Sequence, residues 1–232
     1  MSVRASRPIR VLIVDDQALI RAGFGMILEA QEDIVVTGEA EDGDAACRMC
    51  AQSAPDVVLM DVHMPKGVDG ITATRRITAE HPGVRVVVIS TFDLDEHVME
   101  ALYAGASGFV SKEIPPEELV RAVRIAHEGE SVVAPRLLTR LIENFVRSPP
   151  PRHRPRLTGV TDREQDVLVL IARGHSNAEI SAALKVTRST VKNHVTSLFA
   201  KTGVRDRAQA VILAYEAGLV KPGDQAPRAA GS

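Results

Sequence analysis

Five short apolar runs recur through the first half of the chain: VLIV (Val11 to Val14), IVV (Ile34 to Val36), VVLM (Val57 to Met60), VVVI (Val86 to Ile89) and GFV (Gly108 to Val110). Between them lie segments with helical apolar spacing, such as Ala18, Leu19, Ala22, Ile27 and Leu28, or Val98, Ala101, Leu102 and Ala104. Runs in which nearly every position is Val, Ile or Leu must be buried on both faces. The pattern therefore predicts five βα units in an α/β domain, a doubly wound five-stranded parallel sheet with helices on each side. The last helix of this domain is predicted to open at Pro115-Pro116, since proline is tolerated in a first turn, and to end near His127, before Gly129.

In such a sheet the functional site lies at the carboxyl ends of the strands, so the residues that follow each run matter most. The first run ends in Asp15-Asp16, the third in Asp61 and the fourth in Ser90-Thr91, and Ser111-Lys112 follows the fifth. Topology would gather three carboxylates, a hydroxyl and an ammonium in one pocket. Like charges a few Å apart repel by about 4 kcal/mol per pair at an effective dielectric near 20, so the cluster needs a cation. Hard oxygen ligands with room for water point to Mg²⁺, and Lys112 supplies a second positive charge. The matching chemistry is phosphoryl transfer onto a carboxylate.

The second half of the chain has a different character. Lys and Arg number 12 against 22 Asp and Glu over residues 1–130, but 12 against 6 over residues 152–221. An acidic front half is joined to a basic back half, which suggests that the back half meets a polyanion. Residues 131–147 have apolar spacing (Leu137, Leu138, Leu141, Ile142, Phe145) that suits a helical connector, and SPPPRHRPR (148–156) reads as a linker. Next come two capping boxes, Thr161-Asp162-Arg163-Glu164 and Ser176-Asn177-Ala178-Glu179. A third helix is predicted from Thr187 to about Lys201, a few residues after the second, as in a helix-turn-helix. A fourth, Ala208 to Ala217, closes a small four-helix all-α domain, and the final stretch, KPGDQAPRAAGS, reads as a disordered tail. The expected organisation is thus a domain over 8–128, a connector and linker over 129–155, a helical domain over 156–221 and a tail over 222–232.

The segments VLIVDD, LMDVHMP, VVVIST and GFVSK closely resemble the signature segments of the CheY-like receiver domain, over residues 8–128. The resemblance implies Asp61 as phosphoacceptor, Asp15 and Asp16 as Mg²⁺ ligands with Asp61, and the backbone carbonyl of His63 as a further ligand. It also implies Lys112 as a phosphoryl contact, Ser90 as the switch hydroxyl and Phe109 at the aromatic switch position. The second half resembles the LuxR/NarL-type helix-turn-helix, with Glu164, Leu168, Gly174, Asn177, Glu179, Ile180, Thr190, Val191, Lys192, His194 and Val195 on motif positions. In the expected recognition helix Val191, Val195, Leu198 and Phe199 form the apolar side. Arg188, Lys192, Asn193, Thr196 and Lys201 are the candidate DNA contacts. Thr196 stands where relatives carry a basic residue. Together the two resemblances imply a NarL/FixJ-type two-component response regulator with a sensor histidine kinase and double-stranded DNA as partners, and a homodimer when phosphorylated.

Rival chemistries lack their signatures. A haloacid-dehalogenase-type phosphatase needs D-x-D after its first strand, whereas this chain has adjacent aspartates, and neither a Walker A sequence nor G-x-G-x-x-G follows any run. The chain is therefore expected to catalyse only its own phosphotransfer and dephosphorylation. MSVRASRPIR has no apolar stretch of a signal peptide, and no run approaches a membrane span, so a cytoplasmic, membrane-free protein is expected. The C-x-x-C pair Cys47 and Cys50 sits in a helical stretch without a second pair, and is expected to pack as small hydrophobes.

Overall fold

The structure is a computed structural model and describes residues 7–90, 100–130 and 157–220. It divides into two compact units, Met1–Ala134 and Pro135–Ser232. The expected connector and linker, apart from residues 129 and 130, and the expected tail lie outside the described residues.

The first unit alternates strand and helix: β1 (Ile9–Val14), α1 (Ala18–Glu29), β2 (Ile34–Ala40), α2 (Gly43–Ser53), β3 (Val57–Asp61), α3 (Gly70–Glu80) and β4 (Arg85–Ser90). There follow α4, described over residues 100–103, β5 (Gly108–Ser111) and α5 (Pro116–His127). All strands are parallel, in the order β2-β1-β3-β4-β5. Alternate strand residues divide between the two faces. Val11, Ile13, Val57, Leu59, Val87 and Ile89 pack with Phe24 and Leu28 of α1 and Leu119 and Val123 of α5. Leu12, Val58, Met60, Val86 and Val88, also fully buried, face the other way. Burial on both sides is what the unbroken apolar runs require. Cys47 and Cys50 are free thiols in α2, and burial pushes Cys50 up to about 12, so it stays protonated and unreactive.

One close approach fixes the end of β3. A Cβ on Gly70, the first residue of α3, would stand 1.8 Å from the Asp61 carbonyl oxygen, so only glycine lets the helix start against that strand.

The second unit consists of α6 (Asp162–Ala172), α7 (Asn177–Leu184), α8 (Arg188–Thr202) and α9 (Arg207–Glu216) around Val167, Leu168, Ile171, Ile180, Val191, Leu198, Val211 and Tyr215. Both predicted capping boxes form, Thr161 with Glu164 and Ser176 with Glu179. Lys185, Val186 and Thr187 alone separate α7 from α8, with Lys185 in the left-handed region at φ 54. Three bonds pin this turn: Ser181 Oγ donates to the Val186 carbonyl at 2.6 Å, Arg163 Nη2 to the Leu184 carbonyl at 2.6 Å, and the Thr190 amide to Thr187 Oγ1 at 3.1 Å.

Candidate functional site

At the carboxyl ends of β1, β3, β4 and β5 the sheet brings Asp15, Asp16, Asp61, Ser90 and Lys112 to one edge. One oxygen from each of Asp15, Asp16 and Asp61 lies within 4.8 Å of the others; Asp15 and Asp61 are buried and Asp16 is exposed. Lys112 Nζ stands 2.7 Å from Asp15 Oδ2 and 2.9 Å from Asp61 Oδ2. The His63 amide donates to Asp61 Oδ1 at 3.2 Å, and the Gln17 amide to Asp15 Oδ1 at 2.9 Å.

Backbone pairing explains the convergence. The Lys112 amide donates to the Ser90 carbonyl at 2.8 Å and the Val62 amide to the Ile89 carbonyl at 3.1 Å, so the turns after β3 and β5 are both tied to β4. Ser90 is buried and opposite Ser111 in register, and Phe109 is buried opposite Val88.

One ammonium among three carboxylates leaves excess negative charge. Burial pushes the Asp61 carboxyl above its ordinary range; the Lys112 hydrogen bond opposes this, and the neighbouring Asp15 charge adds to it. Lys112 is desolvated too, which works against its charge, yet its bonds to Asp15 and Asp61 outweigh burial and hold its pKa above the ordinary value. Three carboxylates that share a single ammonium fit a hard divalent cation.

Arg21 is a member of this neighbourhood that the sequence reading missed. Its Nη1 donates to the Asp15 carbonyl at 2.7 Å and its Nε to Glu39 Oε2 at 3.2 Å, bracing the turn after β1 against β2. The available signal was a basic residue six positions after Asp15 in an acidic half.

In the second unit the candidate DNA residues sort by exposure. Arg188, Lys192, Asn193 and Thr196 are exposed along α8, while Val191 and Leu198 are buried and Val195 and Phe199 half-buried. Thr196 Oγ1 donates back to the Lys192 carbonyl at 3.0 Å. Lys201, the fifth candidate, is also exposed, and its ammonium lies 2.8 and 2.7 Å from the two oxygens of Glu164.

Residues 11–124 match the response regulator receiver domain family, and residues 159–214 match the luxR family of bacterial regulatory proteins. The transcriptional regulatory protein YxjL of Bacillus subtilis is 40% identical over 214 residues, covering 92% of this chain and 98% of YxjL. The chain belongs to the luxR-type response regulators. A second relative, the transcriptional regulatory protein LiaR of Bacillus subtilis, is 39% identical over 216 residues, covering 91% of this chain and 99% of LiaR. Among solved structures, the Salmonella typhimurium RcsB response regulator, described for its conformational dynamism in DNA interaction, is 25% identical with a TM-score of 0.53; the match covers 89% of this chain and 97% of RcsB. As a member of this family, the response regulator joins a receiver domain to a DNA-binding domain, and it acts as a phosphorylation-controlled transcription factor. Among the described residues, no helix is long and apolar enough to cross a membrane.

Proposed function

We propose that Asp61 accepts a phosphoryl group from a sensor histidine kinase and that the modified receiver promotes dimerisation and DNA binding. The supporting observation is the convergence of Asp15, Asp16 and Asp61 with Lys112 bridging two of them. Asp15, Asp16, Asp61 and the His63 backbone carbonyl would hold Mg²⁺, which when bound would offset negative charge on the transferring group. An Asp61 carboxylate oxygen forms the new O–P bond as the donor's P–N bond breaks, and the leaving imidazole keeps the electron pair. Lys112, already desolvated and aimed at Asp61, turns its ammonium to the phosphoryl oxygens. The new charge of about −1.5 to −2 draws Ser90 inward and repacks Phe109. Beyond its own phosphotransfer and dephosphorylation, the protein is not an enzyme.

In the DNA-binding domain α8 enters the major groove, with Lys192 and Arg188 at phosphate or guanine and Asn193 and Thr196 toward base edges. A phosphorylated homodimer reads two half-sites in the cytoplasm. The domain limits follow the sequence reading, 8–128 and 156–221, with a connector and linker over 129–155 and a tail over 222–232.

The test is incubation with Mg²⁺ and acetyl phosphate, comparing the wild type with Asp61→Ala by intact mass and DNA binding. A Mg²⁺-dependent phosphoryl adduct confined to the wild type, with tighter DNA binding, is the expected result. An adduct that leaves DNA binding unchanged sinks the proposed coupling.

A further inference from the structure

Two capping boxes of the same design open α6 and α7, and their glutamates behave differently. Glu179 is exposed, and its carboxylate accepts from the Ser176 amide at 2.7 Å and the Ser176 hydroxyl at 2.8 Å, as a local cap requires. Glu164 also caps, accepting from the Thr161 amide at 2.8 Å, but its side chain is only 5% exposed and reaches across to the recognition helix. There Oε1 accepts from Ser197 Oγ at 2.6 Å and Lys201 Nζ at 2.8 Å, and Oε2 accepts from Lys201 Nζ at 2.7 Å. A cap needs no partner on α8, so the second set of bonds calls for its own explanation.

Ser197 and Lys201 are four residues apart, and Asn193 precedes Ser197 by the same interval, so the three lie on one row along α8. Apolar contacts at Val191 and Leu198 hold the helix against its domain, yet dispersion and hydrophobic burial are non-directional and tolerate a small roll or slide. Charge-assisted bonds to one planar carboxylate do not. Anchored at Ser197 and Lys201, the row fixes how α8 is turned about its axis. That setting decides where Asn193, one turn earlier, and its neighbour Lys192 point.

We propose that Glu164, through Ser197 and Lys201, is the positioning residue for DNA reading, and that Lys201 serves as its latch and not as a phosphate contact. This rests on the DNA-contact reading given above for Lys192 and Asn193. Lys201 and then Ser197 hold the Glu164 carboxyl down at about 2, so the latch stays closed at every pH where the protein works and is not itself a pH switch. Positioned side chains locked by a supporting layer are what sequence-specific contacts demand.

Salt dependence separates a latch from a contact, because each neutralised phosphate contributes about −0.9 to the slope of log affinity against log salt. The probes are a duplex enriched from a random-sequence library by the acetyl-phosphate-treated full chain, and a scrambled duplex of the same composition. Lys192→Ala is expected to make the slope shallower by about 0.9. Lys201→Met and Glu164→Gln are each expected to weaken binding to the enriched duplex by about tenfold, as for one misplaced base contact, with little change on the scrambled one and an unaltered slope. The double variant is expected to be no worse than either single, since the two residues act as one unit. Circular dichroism confirms that each variant is folded at the assay temperature, and Lys201→Met keeps the test decisive if Glu164→Gln does not fold. A slope shallower by about 0.9 in Lys201→Met makes Lys201 a phosphate contact and overturns the proposal. So does an unchanged preference for the enriched duplex in both variants, which would leave Glu164 a structural residue only. Failure of the underlying DNA reading has its own signature, unchanged affinity for both duplexes in Lys192→Ala and in Asn193→Ala, and the inference falls with it.

Discussion

In the receiver domain Lys112 stands between Asp15 and Asp61; in the DNA-binding domain Lys201 stands on Glu164. Both arrangements set a lysine ammonium against buried carboxylate, yet their electrostatics differ in sign. Glu164 receives the Thr161 amide, the Ser197 hydroxyl and the Lys201 ammonium, and its carboxyl is held down at about 2. Asp61 receives one amide and one ammonium that it shares with Asp15, and burial pushes its carboxyl up. A carboxylate with all its donors is a strut. One left short of donors, beside others of its kind, is poised to accept a cation and to react.

The largest effects should come from removing each carboxylate. Asp61→Asn should abolish the phosphoryl adduct, and in Mg²⁺-free buffer it should raise receiver stability by about 1 kcal/mol, because it removes like-charge repulsion while Lys112 keeps Asp15. Glu164→Ala should lower the stability of the DNA-binding domain by about 2–3 kcal/mol, since it strands a half-buried ammonium and an orphan helix-start amide. Denaturant unfolding of the full chain, followed by residue-resolved NMR, measures both. Destabilisation of equal size in the two variants would erase the distinction between strut and reactive group.

Acid sharpens the same contrast. The Glu164 carboxyl is depressed from 4.5 to about 2 by folding, so its contribution is complete above pH 4.5 and is lost as pH falls towards 2. The Asp61 carboxyl is raised above its ordinary 3.8, so any stability it adds is present below pH 3.8 and is lost as pH rises through its folded value. Between pH 4.5 and 2 the DNA-binding domain should therefore lose stability from this carboxylate, whereas the relief that protonation of Asp61 gives the receiver pocket is already complete at pH 3.8. An NMR pH titration of the full chain that showed the Glu164 side chain titrating near 4.5 would remove the acid sensitivity assigned to it.

Most of the fold was legible because its signals are local or periodic. Runs such as Val86 to Ile89 announced strands buried on both faces, and Thr161 and Ser176 announced helix starts. The second strand was read as Ile34 to Val36 but extends to Ala40, because at the sheet edge it is half exposed and its apolar pattern fades after Val36. The carboxylate pocket was legible for a topological reason, since parallel strands gather their carboxyl ends. Glu164 was legible only as a cap: the local motif explained the residue fully, and nothing in the sequence marks a partner more than thirty positions away. For the same reason Lys201 was legible as a candidate DNA contact and not as a partner of Glu164. Its neutralisation is a tertiary fact.

The smallest expected effect tests whether the pocket's supporting residues matter as much as its carboxylates. Arg21 is largely buried and joins the Asp15 carbonyl to Glu39, so it fixes the turn that carries Asp15 and Asp16 without being placed to touch a phosphoryl group. Residues that hold metal ligands in place typically change metal affinity by about 10- to 100-fold when removed. Since Arg21 grips a backbone carbonyl and not a carboxylate, Arg21→Gln should sit at the low end, raising the Mg²⁺ concentration needed for half-maximal phosphorylation by about tenfold. The plateau rate at saturating Mg²⁺ should be unchanged, because the phosphoacceptor and Lys112 keep their geometry. Arg21→Lys should recover only part of the loss, since an ammonium cannot reproduce the guanidinium's two directed bonds. If the plateau rate itself falls, the guanidinium acts on the phosphoryl group, and the receiver pocket holds two reactive cations where the DNA-binding domain's strut has one inert one.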